Sequence, residues 1–179
     1  MATPEPVDRA RITAVVMGVS GSGKSTIASG ITDALDLHGI DGDDLHSPES
    51  VAKMAAGEPL QDDDRWPWLD RIGAALADAG RWPRGVVVAC SALKRSYRDR
   101  IRAAAPQVRF VFLDGSAELI RSRLSERSGH YMPAQLLASQ LQTLEAPSDN
   151  EADVVRLDID APVDAIVARA VEALAPVRR

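Results

Sequence analysis

Apolar and polar positions along this chain alternate between short uniform runs and longer periodic stretches. Residues 12–17, 86–90, 108–113 and 154–159 are brief and largely apolar, the pattern of strands buried on both faces of a parallel sheet. A shorter strand is predicted at 38–41. Between them, Ile27, Ala28, Ile31, Ala34 and Leu35 share one helical face over 24–37. Leu69, Ile72, Gly73 and Leu76 do the same over 62–79. Ser47 and Pro48 open a helix to residue 56, with serine as cap and proline at the first position. Acids at 62–64 suit a helix start, where Pro67 fits only in the first turn. Further helices are expected over 94–102, 117–126, 134–144 and 162–174, with residues 128–133 forming a break. The alternation predicts a three-layer α/β/α fold around a five-stranded parallel sheet, its ligands at the carboxyl edge. Residues 1–11, which include Pro4 and Pro6, read as a disordered lead-in without a signal peptide's apolar core. Residues 12–179 read as one domain.

Composition narrows the class. At 179 residues and 45% apolar, the chain suits one substantial core. Net charge is 21 − 26 = −5 with no basic stripe, which disfavours nucleic acid. The single Cys90 allows no internal disulfide and suits a reducing compartment. No apolar run approaches the ~18 residues of a membrane span, so a cytoplasmic protein is expected.

The decisive chemistry follows the first strand. Gly18, Gly23, Lys24 and Ser25 fit G-x-x-x-x-G-K-[ST], the phosphate-binding loop. Glycines let successive backbone N–H groups point inward as an anion nest, backed by a helix N-terminus. Within it Ser20, Gly21, Ser22 and Thr26 join the candidate nucleotide contacts. Lys24 can reach β- and γ-phosphates, and the Ser25 hydroxyl is placed for Mg²⁺. With glycine at about 7% of residues, a chance match in a chain this long is on the order of 1%. ATP and Mg²⁺ are the expected cofactors.

Other polar clusters should converge on the same edge. Asp41 and Asp43 leave the second strand; one carboxylate could orient a hydroxyl and accept its proton, the other assist Mg²⁺. A solvated Asp/Gly turn is the bland alternative. The third strand ends in Cys90-Ser91 without the acid that often follows a P-loop, so the metal leans on Ser25, phosphates, water and the Asp41 turn. Arg65 either meets an anionic substrate or sits beside a solvated acidic helix start. Arg123 and Arg127 stand one helical turn apart before the break at Gly129, as lid cations would; pairing with Glu118 and Glu126 on a surface helix is the competing account.

Together these stretches resemble the gluconokinase family of small P-loop carbohydrate kinases. The likeness runs through Met17-Gly-Val-Ser-Gly-Ser-Gly-Lys-Ser25, Asp41-Gly-Asp-Asp-Leu-His46, Lys53-Met54 with Gly57-Glu-Pro-Leu60, Asp62-Asp-Asp-Arg65, and Ala89-Cys-Ser-Ala-Leu-Lys-Arg95. It continues in Leu113-Asp-Gly115, Arg127 with Gly129-His130, and Thr143-Leu-Glu145. Tyr131, where phenylalanine is common, and Ser47 before Pro48 are small departures. The resemblance implies ATP-dependent phosphorylation of D-gluconate at its 6-hydroxyl, in a P-loop kinase fold with a small helical lid. It implies Lys24, Asp43 and Arg127 as catalytic, and Ser25 with Asp41 at the metal. It also implies Asp43, His46, Lys53, Arg65, Ser91, Lys94, Arg98 and His130 around the acceptor. A homodimer is left open. The competing classes are a shikimate-like or nucleoside monophosphate kinase, and a non-catalytic nucleotide switch. A guanine-nucleotide switch would need an Asn-Lys-x-Asp loop, and the only asparagine is Asn150.

Overall fold

The computed structural model describes residues 10–126 and 134–176. Its sheet has five parallel strands: β1 (Ile12–Met17), β2 (His38–Asp41), β3 (Gly85–Ala89), β4 (Arg109–Asp114) and β5 (Val154–Asp158). They lie in the order β2-β3-β1-β4-β5. Register aligns Val16 with Ala89 on one side and with Val111 on the other, so β1, which feeds the phosphate loop, is central.

Side chains alternate across the pleat, and each face of the sheet therefore has its own core. Ala14 and Val16 pack toward α1 (Lys24–Leu35), α5 (Ala117–Glu126), α6 (Ala134–Thr143) and α7 (Val163–Leu174), through Ile31, Ile120, Leu137 and Ile166. Val15 and Met17 face α3 (Asp62–Ala77) and α4 (Arg95–Ala104), through Leu69, Ile72, Tyr97 and Ile101. The short α2 (Pro48–Ala55) starts where predicted, with the Ser50 N–H donating to the Ser47 hydroxyl at 3.1 Å.

Element ends move slightly from the sequence expectation, and for physical reasons. The first helix stops at Leu35 because Asp36 turns left-handed (φ 53°). Pro67 is not in the first turn of α3 but at its sixth residue. Proline there removes only the N–H that would reach Asp63, and both residues are exposed, so water can serve the carbonyl. The expected strand 86–90 closes at Ala89, and Cys90 begins the loop that follows.

Candidate functional site

Three connections meet at the carboxyl edge of the sheet. Between β1 and α1, Gly21 (φ 84°) and Gly23 (φ 95°) adopt left-handed conformations that L side chains resist. Gly23 caps α1 without any side-chain hydrogen bond, and no acid occupies the first turn. The helix therefore presents its N-terminal N–H groups and its positive end to whatever lies in the loop. Ser22 is buried, and its hydroxyl has no partner among the described residues. A buried polar atom without a partner costs free energy, so this cradle fits the phosphates of a nucleotide. Lys24 reaches back to donate to the Val19 carbonyl at 3.0 Å, while Ser25 and Thr26 are exposed at the helix start. The Ser20 N–H donates to Gln140 Oε1 of α6 at 2.6 Å. Nothing in the sequence singled out Gln140, a polar residue in an ordinary amphipathic helix.

A 3₁₀ turn, Gly42–Leu45, follows β2. The Asp41 carboxylate accepts the Asp43 N–H at 3.0 Å and so holds the turn it begins. Trp68 donates its indole N–H to the Gly42 carbonyl at 2.7 Å. His46 stacks on Trp68 at 4.3 Å, with Nε2 3.9 Å from Asp43 Oδ1 and a buried Nδ1 that has no partner among the described residues. Burial holds the His46 pKa below the ordinary value, outweighing the attraction of Asp43. The imidazole is therefore neutral at pH 7. Among the described residues no group of three or more His, Cys, Asp or Glu is placed to hold a metal ion.

The third connection joins β3 to α4 and opens on a cleft of about 350 Å³ lined by Leu60, Asp62, Arg65, Lys94 and Thr143. Lys94 donates to Asp62 at 3.1 Å, and Arg65 donates to the Tyr97 hydroxyl at 3.0 Å. Tyr97 in turn donates to Asp62 at 2.5 Å. The Tyr97 and Lys94 hydrogen bonds hold the Asp62 carboxyl below the usual carboxylate range, and Asp62 raises Lys94 in return. Asp63 lines the cleft as well, so Arg65 and Lys94 are balanced by two carboxylates, of which Asp62 is held by both cations. A larger groove of about 700 Å³ between α1 and α7 is lined by Gly30, Ala34, Val163 and Val167, is almost wholly apolar, and lies away from these groups.

Residues 14–147 match the family described as AAA domain. The thermoresistant gluconokinase of Escherichia coli strain K12 is 44% identical over 160 residues, which are 89% of this chain and 91% of that one. The chain belongs to the gluconokinase family. The gluconokinase of Gluconobacter oxydans is 46% identical over 153 residues, 86% of this chain and 85% of the relative. Among solved structures, a gluconokinase from Sinorhizobium meliloti 1021 superposes with a TM-score of 0.84 at 49% identity, covering 93% of each chain. Shikimate kinase from Aquifex aeolicus, at 15% identity and a TM-score of 0.55, shares the fold alone.

In this gluconokinase-family chain, the expected site residues do not all converge on one place. Gly18, Ser20, Gly21, Ser22 and Gly23 form the loop and Lys24, Ser25 and Thr26 the first turn of α1, and the Gly18 N–H donates to the Ser91 carbonyl at 3.3 Å, joining the loop to the β3–α4 connection. Arg65 and Lys94 share the acidic partner Asp62. Lys53, from α2, donates to Asp64 at 2.7 Å instead of joining that pair. Arg123 donates to the Ile159 carbonyl at 2.5 Å, at the end of β5. Arg127 and His130 lie outside the described residues. Arg98 is the correction: it is fully buried, all its donors are engaged by protein groups, and it cannot touch an acceptor. Cys90 is buried, with its thiol pushed up to about 12, as befits a packing residue.

Proposed function

We propose that this chain transfers the γ-phosphoryl group of ATP to the 6-hydroxyl of D-gluconate, giving 6-phospho-D-gluconate and ADP. The observation that carries this is the identity of 44% across 89% of the chain with a protein named gluconokinase. The geometry supports it: a phosphate loop with an unpartnered buried hydroxyl adjoins a cleft carrying Arg65 and Lys94. Lys24 and the α1 N-terminus would hold the β- and γ-phosphates. Ser25 and Asp41 would hold Mg²⁺, which when bound neutralises phosphate charge. Asp43, exposed at the end of the β2 turn, orients the gluconate hydroxyl and takes its proton as the new P–O bond forms and the bond to the β-phosphate oxygen breaks. Arg65 and Lys94 meet the substrate carboxylate, a planar partner suited to guanidinium. His46 and Ser91 would border the acceptor and Arg123 would lie on the nucleotide side, while Arg127 and His130 lie outside the described residues. Such an enzyme works in the cytoplasm, where ATP is plentiful. Among the described residues no helix is long and apolar enough to cross a membrane.

An ADP-release assay with gluconate, shikimate, AMP or no acceptor tests this. Release that depends on gluconate is expected. Release with shikimate or AMP but not gluconate would overturn the proposal.

A further inference from the structure

The loop between β3 and α4 delivers Ser91 and Lys94, yet its sequence contains neither proline nor glycine to stiffen it. Its backbone is nonetheless fastened residue by residue. The Ser91 carbonyl accepts the Gly18 N–H, and the Leu93 carbonyl accepts the Glu145 N–H at 2.9 Å. Ala92, between them, is fully buried and left-handed (φ 45°). A side chain keeps that conformation only where its surroundings impose it.

One side chain does much of the imposing. Arg98, in the first turn of α4, folds back on the loop that precedes its helix. Its Nη1 donates to the Ala92 carbonyl at 3.0 Å and the Leu93 carbonyl at 3.2 Å. Nη2 donates to the Glu145 carbonyl at 3.0 Å. Nε and Nη2 form a bidentate pair with Glu151 at 2.8 and 2.7 Å. A guanidinium has five N–H groups, and here it makes five hydrogen bonds. Arg102 donates to the same Glu151 carboxylate at 2.7 Å and to Asp153 at 2.6 Å, so the acceptor is itself held.

We infer that Arg98 is a positioning residue for phosphoryl transfer, acting through the Ala92 and Leu93 carbonyls to hold Lys94 in the acceptor cleft. The inference rests on the gluconokinase function proposed above. A role in stability alone would require only the pair with Glu151. Two of the five donors instead grip the two residues before Lys94. Arginine is needed because a single ammonium cannot serve two carbonyls and a bidentate carboxylate at once.

Three variants test the claim, each measured for melting temperature, kcat, KM for gluconate and for ATP, and amide exchange over residues 90–94. Arg98→Lys should lower kcat/KM for gluconate by about 10- to 100-fold, the effect expected of a displaced binding group, with a smaller change in KM for ATP. Glu151→Gln keeps the carbonyl contacts and should lower the melting temperature while leaving gluconate kinetics within about twofold. Ala92→Gly adopts the left-handed turn without strain. It should fold even if Arg98→Lys does not, exchange faster over 90–94, and raise KM for gluconate. Wild-type gluconate kinetics in both Arg98→Lys and Ala92→Gly would overturn the inference. So would losses for gluconate and ATP that merely track melting temperature across the three variants. If the wild-type protein ignores gluconate, the functional proposal fails first. The exchange rates would still show whether Arg98 holds the loop.

Discussion

Asp41 and Asp43 stand two residues apart and are built for different work. Asp41 is tied into its own turn by the Asp43 N–H, whereas the Asp43 side chain is largely exposed and lies 3.9 Å from the neutral His46 imidazole. Asp43→Asn preserves shape and removes the proton acceptor. Its kcat should therefore fall by about 10² or more, with thermal stability unchanged. A kcat near wild type would move the base elsewhere. Lys24→Ala should abolish turnover without unfolding, because the lysine contributes charge to phosphate and not to the core. Near-normal ADP release by the folded variant would remove the phosphate-loop assignment. At this scale the sequence was legible where a motif is contiguous: the loop glycines expected to curl the backbone, Gly21 and Gly23, are left-handed. It was opaque for Arg98, one of several arginines in a basic segment, whose partner Glu151 lies 53 residues away. No spacing rule reports such a pair. Gln140 was missed for the same reason, being 120 residues from Ser20.

Whole elements were legible where their pattern was set by burial on both faces or by a cap. β1, β3 and β4 were readable because uniformly apolar runs have nowhere to go but the sheet interior, whereas β2 and β5 are edge strands with exposed positions. Ser47-Pro48 announced α2 correctly. The 3₁₀ turn after β2 was not foreseen, because it depends on tertiary contacts: the Trp68 indole on the Gly42 carbonyl, and close packing beneath Gly42. A Cβ at Gly42 would stand 2.5 Å from the Ala89 carbonyl oxygen, which is backbone and cannot turn aside. Gly42→Ala should consequently push the turn outward, at about 1–3 kcal/mol of stability. Because Asp43 is the next residue, kcat should fall as well, while KM for ATP stays near wild type since α1 is not moved. Calorimetry and steady-state kinetics on one preparation check both halves. A variant with full activity would show that the position of Asp43 does not depend on the turn.

For the whole molecule, the Arg98–Glu151 pair joins α4 to the segment that returns from α6 to β5, and it makes folding sensitive to acid. Hydrogen bonds from Arg98, then Arg102, outweigh the burial of Glu151 and bring its carboxyl to about 2, from an ordinary value of 4.5. Between those values the unfolded chain binds a proton that the folded chain refuses, so stability rises with pH across the window. The contribution is complete above the unfolded value and disappears as pH falls toward about 2. A depression of this size corresponds to about 3 kcal/mol of pH-dependent stability, large beside the 5–15 kcal/mol that holds a typical domain folded. Other carboxylates titrate in the same range, so wild-type acid unfolding alone does not isolate the term. Glu151→Gln does, because the amide carries no titrating proton. The difference in unfolding free energy between wild type and Glu151→Gln should be greatest near pH 7 and shrink steadily between pH 5 and pH 2. Urea unfolding at several pH values measures that difference directly. A gap that stays constant with pH would mean that the Glu151 carboxylate is held no more tightly in the folded protein than in the unfolded chain.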